Sequence, residues 1–304
     1  MINSIDGIVN AAKTGKCATI AVAGAHDSIV IEAVVLARRA GIAAPILVGH
    51  IDEMLTMLSE LDEDPSPYEM VSGGDHVDCA QKAVALCAEG KANFLMKGIV
   101  STADLMRAVF SKESGLRSGK LTAHYMFYEA PAYPRMFVMT DGGINMFPDL
   151  DKKAEILENA ARALQALGYS TINAACICGA ETVNPKAPST LDADALSKMT
   201  DRWAPYHMNV YGPAALDLAI NKDACIHKHY TAVGAGEADI VLVPNYEVGN
   251  AMGKACSLFG GAKSAGVVLG AKVPIVLVSR SDTAQCKMAS IALGSVLSTR
   301  MKFE

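Results

Sequence analysis

Residues 18–48 read ATIAVAGAHDSIVIEAVVLARRAGIAAPILV, and this stretch decides the fold. Ala18 to Ala23 is a short apolar run, the mark of a buried strand. Ser28 to Ala40 carries apolar residues at helical spacing and is stopped by Gly41. Pro45 to Val48 is a second apolar run. Strand, helix and strand in such quick succession make a βαβ unit, whose crossover leaves the two strands parallel.

The alternation continues along the chain. Val77 to Ala88 is helical by its apolar spacing, Asn93 to Met96 is a short strand, and Ala103 to Phe110 is a helix. The pattern repeats with a strand at Met136 to Met139, a helix from Lys152 to Leu167 with Asp151 as N-cap, and a strand at Ile172 to Ile177. Ile156, Leu157, Ala160, Ala161, Leu164 and Leu167 share one face of that helix, and Gly168 supplies its stop. Asp239 to Val243 predicts a further strand, followed by a helix after Gly249. Two more strands lie around Val267 and Ile275, and a closing helix runs from Ala284 to Leu297. No tandem repeat or low-complexity segment interrupts this order.

One apolar run ends abruptly in polar groups: Val273-Pro-Ile-Val-Leu-Val-Ser279-Arg280-Ser281-Asp282. In an open α/β sheet ligands sit outside the carboxyl ends of the strands, so a hydroxyl, a guanidinium and a carboxylate at this point are well placed for chemistry. Arg280 offers a fork of donors suited to phosphate or carboxylate. The competing reading is an ordinary turn, with Ser or Asp capping the helix that begins near Ala284.

With 304 residues the chain exceeds the size at which one core usually stops growing, and two domains are expected. A hydrophobic share of 51% is enough to bury a large core. A net charge of −5 argues against a nucleic-acid partner and leaves room for a small basic pocket. Met1-Ile-Asn-Ser-Ile-Asp-Gly shows no basic region followed by a long apolar stretch, and no run reaches the ~18 apolar residues of a membrane helix. A cytoplasmic protein without a membrane partner is expected. Eight scattered cysteines read as free thiols of a reducing compartment. Cys176-Ile-Cys178 has the wrong spacing for a zinc knuckle, and His227 and His229 sit at a helix end, so no metal is expected. Gly234-Ala-Gly236 precedes a strand and lacks a third glycine, which argues against NAD. His26, after the first strand, is either a pocket residue or a satisfied structural histidine.

Four further loops carry polar groups after apolar runs. Lys97-Gly98-Ile-Val-Ser101-Thr102 sets an ammonium beside a glycine where backbone approaches an anion closely, unless Lys97 is simply solvated. Gly115-Leu-Arg117-Ser118-Gly119-Lys120 resembles a phosphate clamp without P-loop spacing. Glu181-Thr-Val-Asn184-Pro185-Lys186-Ala-Pro188 is stiffened by two prolines. Pro244-Asn245-Tyr-Glu247-Val-Gly249-Asn250 places amides and a carboxylate between a strand and a helix, with Asn245 or Asn250 as a plain helix cap in the competing reading.

Taken in order, the stretches MKGIVSTADLMRAVF, GLRSGK, ETVNPKAPSTLDADALSKM, GPAALDLAI, VPNYEVGNAM and VLVSRSDTAQCKMASIAL resemble the phosphate acetyl/butyryltransferase family over nearly the whole chain. That resemblance implies a two-domain α/β/α fold of the isocitrate and isopropylmalate dehydrogenase type, with residues 1–118 plus 272–304 as one discontinuous domain and 119–271 as the other. It further implies an active site in the interdomain cleft, a homodimer, acyl-CoA and phosphate as substrates, and no cofactor. Ser279 and Arg280 match the family's Ser-Arg loop, Arg280 gripping phosphate and Ser279 donating to the carbonyl oxygen. Arg107 matches a family arginine in the equivalent helix. Lys97, Gly98, Arg117, Lys120, Asn184, Lys186, Asn245, Glu247 and Asn250 complete the expected phosphate and CoA contacts. Acetyl-transferring members carry a carboxylate base seven residues after the loop serine; here that position is Cys286, and Asp282, the nearest acid, is taken as base. Leu258 replaces an arginine typical of acetyl-specific members, which favours the butyryl branch. Tyr211 stands where that branch has an acidic residue before Gly-Pro. Acetyl or propionyl transfer, a dehydrogenase of the same fold and an inactive acyl-CoA binder remain the alternatives.

Overall fold

A computed structural model of the chain describes residues 1–279 and 282–303. The chain opens with α1 (Ile5–Thr14), β1 (Ala18–Ala23), α2 (Ser28–Arg39), β2 (Ala43–Gly49), α3 (Ile51–Glu60), β3 (Glu69–Ser72), α4 (His76–Ala88), β4 (Phe94–Lys97) and α5 (Thr102–Val109). It continues with β5 (Ala123–Glu129), β6 (Met136–Thr140), α6 (Leu150–Ala166), β7 (Ile172–Ile177), α7 (Pro188–Ser197), α8 (Thr200–Trp203), β8 (Met208–Ala214), α9 (Leu216–Ile220), α10 (Lys222–His227), β9 (Ile240–Leu242) and α11 (Tyr246–Leu258). It closes with β10 (Lys263–Leu269), β11 (Ile275–Val276) and α12 (Ala284–Arg300). Two compact units result, a first of Asp6–Lys120 and Ala265–Glu304 and a second of Met1–Ile5 and Leu121–Ser264.

In the first unit the strand order is β3-β2-β1-β4-β11-β10. Every neighbouring pair from β3 to β11 is parallel, and only the β10–β11 hairpin is antiparallel. The βαβ unit expected at residues 18–48 is present, with Ala18 opposite Ala43 and Ala23 opposite Val48. Strands β1 and β4 are almost wholly buried, which is why they read as continuous apolar runs instead of alternating ones. Helix α12 packs over β4 and β11 and is buried on most of its surface, from Ala284 to Leu297. Small residues make that approach possible: a methyl at Gly294 would lie 2.7 Å from Phe94 Cδ2 and 2.8 Å from Val276 Cγ2. Ser295 Oγ donates to Ile42 O at 2.9 Å, tying the helix to the start of β2.

In the second unit the order is β5-β6-β9-β7-β8, with β6, β9, β7 and β8 parallel and β5 antiparallel to β6. Its core holds Tyr128, Phe137, Tyr211, Val241 and Val243. On α6 the expected apolar face is buried, but the helix starts at Leu150 because Asp149, not Asp151, accepts the capping N–H of Lys152 at 2.9 Å. Helix α11 likewise starts before Gly249, at Tyr246, because Asn245 caps it. Strand β11 is confined to Ile275–Val276, since Pro274 has no N–H to give to a ladder. All eight cysteines are free thiols. Among the described residues no helix is long and apolar enough to cross a membrane.

Candidate active site

In the first unit β1, β4 and β11 run side by side and parallel, so their carboxyl ends share one edge of the sheet. The edge is also a switch point, because β1 leads through α2 to β2 on one side while β4 lies on the other. Ala23 stands opposite Lys97, and Val276 opposite Met96. This register sets Leu277 beside Lys97 and carries Ser279 two residues further out.

Lys97 is 7% exposed, so it is not a solvated surface lysine. Its ammonium donates to Gly98 O at 3.1 Å and Val100 O at 3.2 Å, which folds it beneath its own turn. Gly98 is there for a reason other than the one expected. Its N–H donates to Ala23 O at 2.9 Å and the N–H of Ile99 to Gly24 O at 2.8 Å, so neither amide is left for an anion. A Cβ on Gly98 would lie 2.0 Å from Gly24 O, and the close approach the glycine permits is therefore to the end of β1. The turn leads into α5, capped by Ser101, whose Oγ accepts from Asp104 N and donates to Asp104 Oδ2 at 2.6 Å. That hydroxyl, followed by Arg107, holds the Asp104 carboxyl below its ordinary pKa. Arg107 reaches Asp104 at 2.7 Å with its side chain 70% exposed.

The loop after β11 exposes Ser279 while binding its backbone on both sides. Asp282 Oδ2 accepts the N–H of Ser279 at 2.8 Å, and Asp282 N–H donates to Ser279 O at 3.2 Å. Lys287, on α12, donates to the same Ser279 oxygen at 2.7 Å. Thr283, not Ser279 or Asp282, is the cap of α12. The capping role that the ordinary-turn reading gave to Ser or Asp therefore falls to Thr283. Arg280 lies outside the described residues.

Arg117 and Lys120 are not brought to this edge. Ser118 Oγ donates to Gly270 O, Lys272 N–H donates to Leu116 O, and Arg117 bridges Ala271. These ties anchor the 115–120 loop at the β10–β11 turn, which antiparallel pairing puts at the end of β11 opposite Ser279. The loop is thus a brace of the hairpin rather than a clamp beside the serine.

The remaining expected residues lie in the second unit, at the carboxyl ends of β7 and β9, which are neighbours. Asn184 is half committed: its Oδ1 accepts from Lys186 N at 3.0 Å, and Thr190 Oγ1 accepts from Asn184 N at 2.9 Å. Thr190, 1% exposed, holds the 184–190 turn rigid, and Lys186 projects from it exposed. Lys228 ties the same loop through ion pairs to Glu181 and to Asp217, the latter at 2.8 Å. Asn245 is a helix cap, its Oδ1 accepting from Val248 N at 3.0 Å, while Glu247 is exposed in the first turn of α11 and Asn250 is half-buried one turn on.

Three features were missed by reading the sequence. After β6, Asp141 is 1% exposed and accepts from Gly143 N at 2.8 Å, Ile144 N at 3.0 Å, and both Asn145 N at 3.0 Å and its Nδ2 at 2.7 Å. This pulls the 141–145 loop to the same edge as the β9 loop, where a methyl on Gly249 would lie 2.6 Å from Gly142 Cα. A polar Asp-Gly-Gly directly after an apolar strand was the available signal. The second is Lys287, concealed inside an apolar helix. The third is the pairing of His26 with His50, whose rings stack at 4.1 Å. Burial, then the His50 charge, lowers the pKa of His26, whereas hydrogen bonds to Glu53 and to Gly74 O raise that of His50. Tyr211 is a core residue, its hydroxyl donating to Ala219 O at 3.4 Å and its pKa driven up by burial. Leu258 is 78% exposed at the end of α11.

Parallel sheets whose strand ends carry a buried lysine, a braced serine and stiff amide-bearing loops are the framework of an α/β enzyme. A sequence model described as phosphate acetyl/butaryl transferase matches residues 74–295. The phosphate butyryltransferase of Clostridium acetobutylicum is 41% identical over 297 residues, covering 98% of this chain and 99% of that one. A branched-chain phosphotransacylase from Enterococcus faecalis V583 superposes with a TM-score of 0.83 at 32% identity, covering 93% of this chain and 99% of the other. A 4-hydroxythreonine-4-phosphate dehydrogenase from Klebsiella pneumoniae shares the fold alone, with a TM-score of 0.54 at 12% identity over 93% of this chain and 100% of its own. The chain belongs to the phosphate acetyl/butyryl transferase family.

Proposed function

We propose that the protein transfers a short-chain acyl group, butyryl by preference, between coenzyme A and inorganic phosphate within a ternary complex. A phosphate oxygen attacks the thioester carbonyl carbon, the carbonyl electron pair moves onto oxygen, and collapse of the tetrahedral intermediate expels the CoA thiolate. No covalent enzyme intermediate is needed, so the enzyme's task is to hold a dianion beside a carbonyl and to stabilise the oxyanion. One observation carries this reading: Ser279 is an exposed residue on a backbone fixed at both its N–H and its C=O, at the strand edge where Lys97 buries an ammonium.

In this scheme Ser279 donates to the carbonyl oxygen as charge develops, Arg280 grips phosphate, and the Lys97 and Arg107 charges favour the anion. Asp282 takes a proton from the CoA thiol in the reverse direction; its hydrogen bond to Ser279 N–H still leaves lone pairs for that role. Lys186, Glu247, Asn184 and Asn250 serve CoA. A homodimer is the proposed assembly. The test is thiol release with and without phosphate across acetyl-, propionyl-, butyryl- and isobutyryl-CoA. Phosphate-dependent release fastest with butyryl-CoA is expected, and release indifferent to phosphate would contradict the proposal.

A further inference from the structure

Lys287 is the fourth residue of α12, whose N-cap is Thr283, and it is 3% exposed. Both facts are unfavourable for a lysine. The N-terminal turn of a helix carries the positive end of its dipole, so an acid belongs there and a cation is repelled. Burial removes the water that an ammonium prefers. The first turn of α12 holds no acidic residue to offset either cost. What the ammonium does meet is Ser279 O, at 2.7 Å. The same Ser279 gives its N–H to Asp282 Oδ2 at 2.8 Å and its oxygen also accepts from Asp282 N–H at 3.2 Å, so both peptide groups that flank its Cα are held.

We propose that Lys287 is a positioning residue that fixes Ser279 for acyl transfer. It does not touch substrate. By holding the Ser279 carbonyl it sets the direction of the Cα–Cβ bond, hence where the hydroxyl stands, and a charge-assisted bond of this length holds it more firmly than a neutral donor would. Lysine suits this place because a long apolar stem tolerates burial while its tip carries the donor. The inference rests on the reading of Ser279 given under Proposed function.

The test is a double-mutant cycle on the full chain, with phosphate-dependent thiol release from butyryl-CoA as the assay and thermal unfolding as the check on folding. Lys287→Met is expected to lower kcat about 100-fold, the loss that follows a misplacement of about 1 Å, with KM for butyryl-CoA changed less than about threefold. In a Ser279→Ala background the same substitution is expected to cost less than about threefold, because the group it positions is gone. Equal fold losses in both backgrounds would show a merely structural role and overturn the proposal, as would a Lys287→Met enzyme with undiminished kcat. Activity retained by Ser279→Ala alone overturns the reading of the site and this inference with it. If Lys287→Met does not fold, Lys287→Gln, which keeps an N–H donor, carries the same cycle: a loss confined to the Ser279 background supports the proposal, and an equal loss in both overturns it.

Discussion

Gly98→Ala is the substitution whose effect follows most directly from the geometry. Its Cβ would lie 2.0 Å from Gly24 O and 2.8 Å from both Ala23 O and Gly24 C. Carbon and oxygen settle no closer than about 3.3 Å, so the turn has to withdraw by more than about 1 Å. Withdrawal breaks the bonds from Gly98 N and Ile99 N to the end of β1. At about 1 kcal/mol net for each bond and about 1–3 kcal/mol for overpacking, the loss of stability comes to about 3–5 kcal/mol. The same movement displaces the Lys97 ammonium, which hangs from Gly98 O and Val100 O. A shift of about 1 Å at a positioning group costs about 100-fold in rate, and that is the fall in kcat/KM expected in a thiol-release assay well below the unfolding temperature. Urea unfolding followed by circular dichroism reads the stability. An alanine variant within about threefold of wild type in kcat/KM would refute the claim that this contact positions the site.

Asp282→Asn separates two roles, since an amide oxygen still accepts the Ser279 N–H; activity in the CoA-acylating direction is expected to fall most at mildly acidic pH, where free thiolate is scarce, and an unchanged pH profile would remove Asp282 as base. Asp141→Ala leaves four N–H donors of the 141–145 loop without their acceptor and should destabilise the second unit by about 3–5 kcal/mol in urea unfolding, whereas a change below about 1 kcal/mol would deny the loop its anchor. His26 and His50 should titrate on opposite sides of their ordinary value of 6.5, His26 below and His50 above, as read from ring proton shifts by NMR. The raised pKa of His50 contributes stability that is present below pH 6.5 and fades as pH rises through its folded value, while the lowered pKa of His26 costs stability as pH falls from 6.5 through its own folded value. Titration of both rings together at an unperturbed value would contradict the stacked pair.

The parallel framework was legible because its strands are buried on both faces and its helices end at glycines: β1, α2 and β2 fall where 18–48 placed them. Helix starts were less legible, because several acids compete for each cap; Asp149 took the place expected of Asp151 through a bond to Lys152 N that spacing alone does not rank. What the loops proposed for the site grip was not legible. Gly98 was read as room for an anion and serves β1, while GLRSGK was read as a clamp and braces a hairpin, since both depend on which distant backbone lies opposite. Lys287 escaped notice because an apolar helix pattern absorbs a single lysine whose tip turns back to a loop eight residues upstream.

The most direct measurement is ³¹P NMR of the protein incubated with butyryl-CoA and inorganic phosphate. The account predicts a butyryl phosphate resonance growing in step with free CoA and vanishing in Arg280→Ala. Free CoA formed without any acyl phosphate would contradict it.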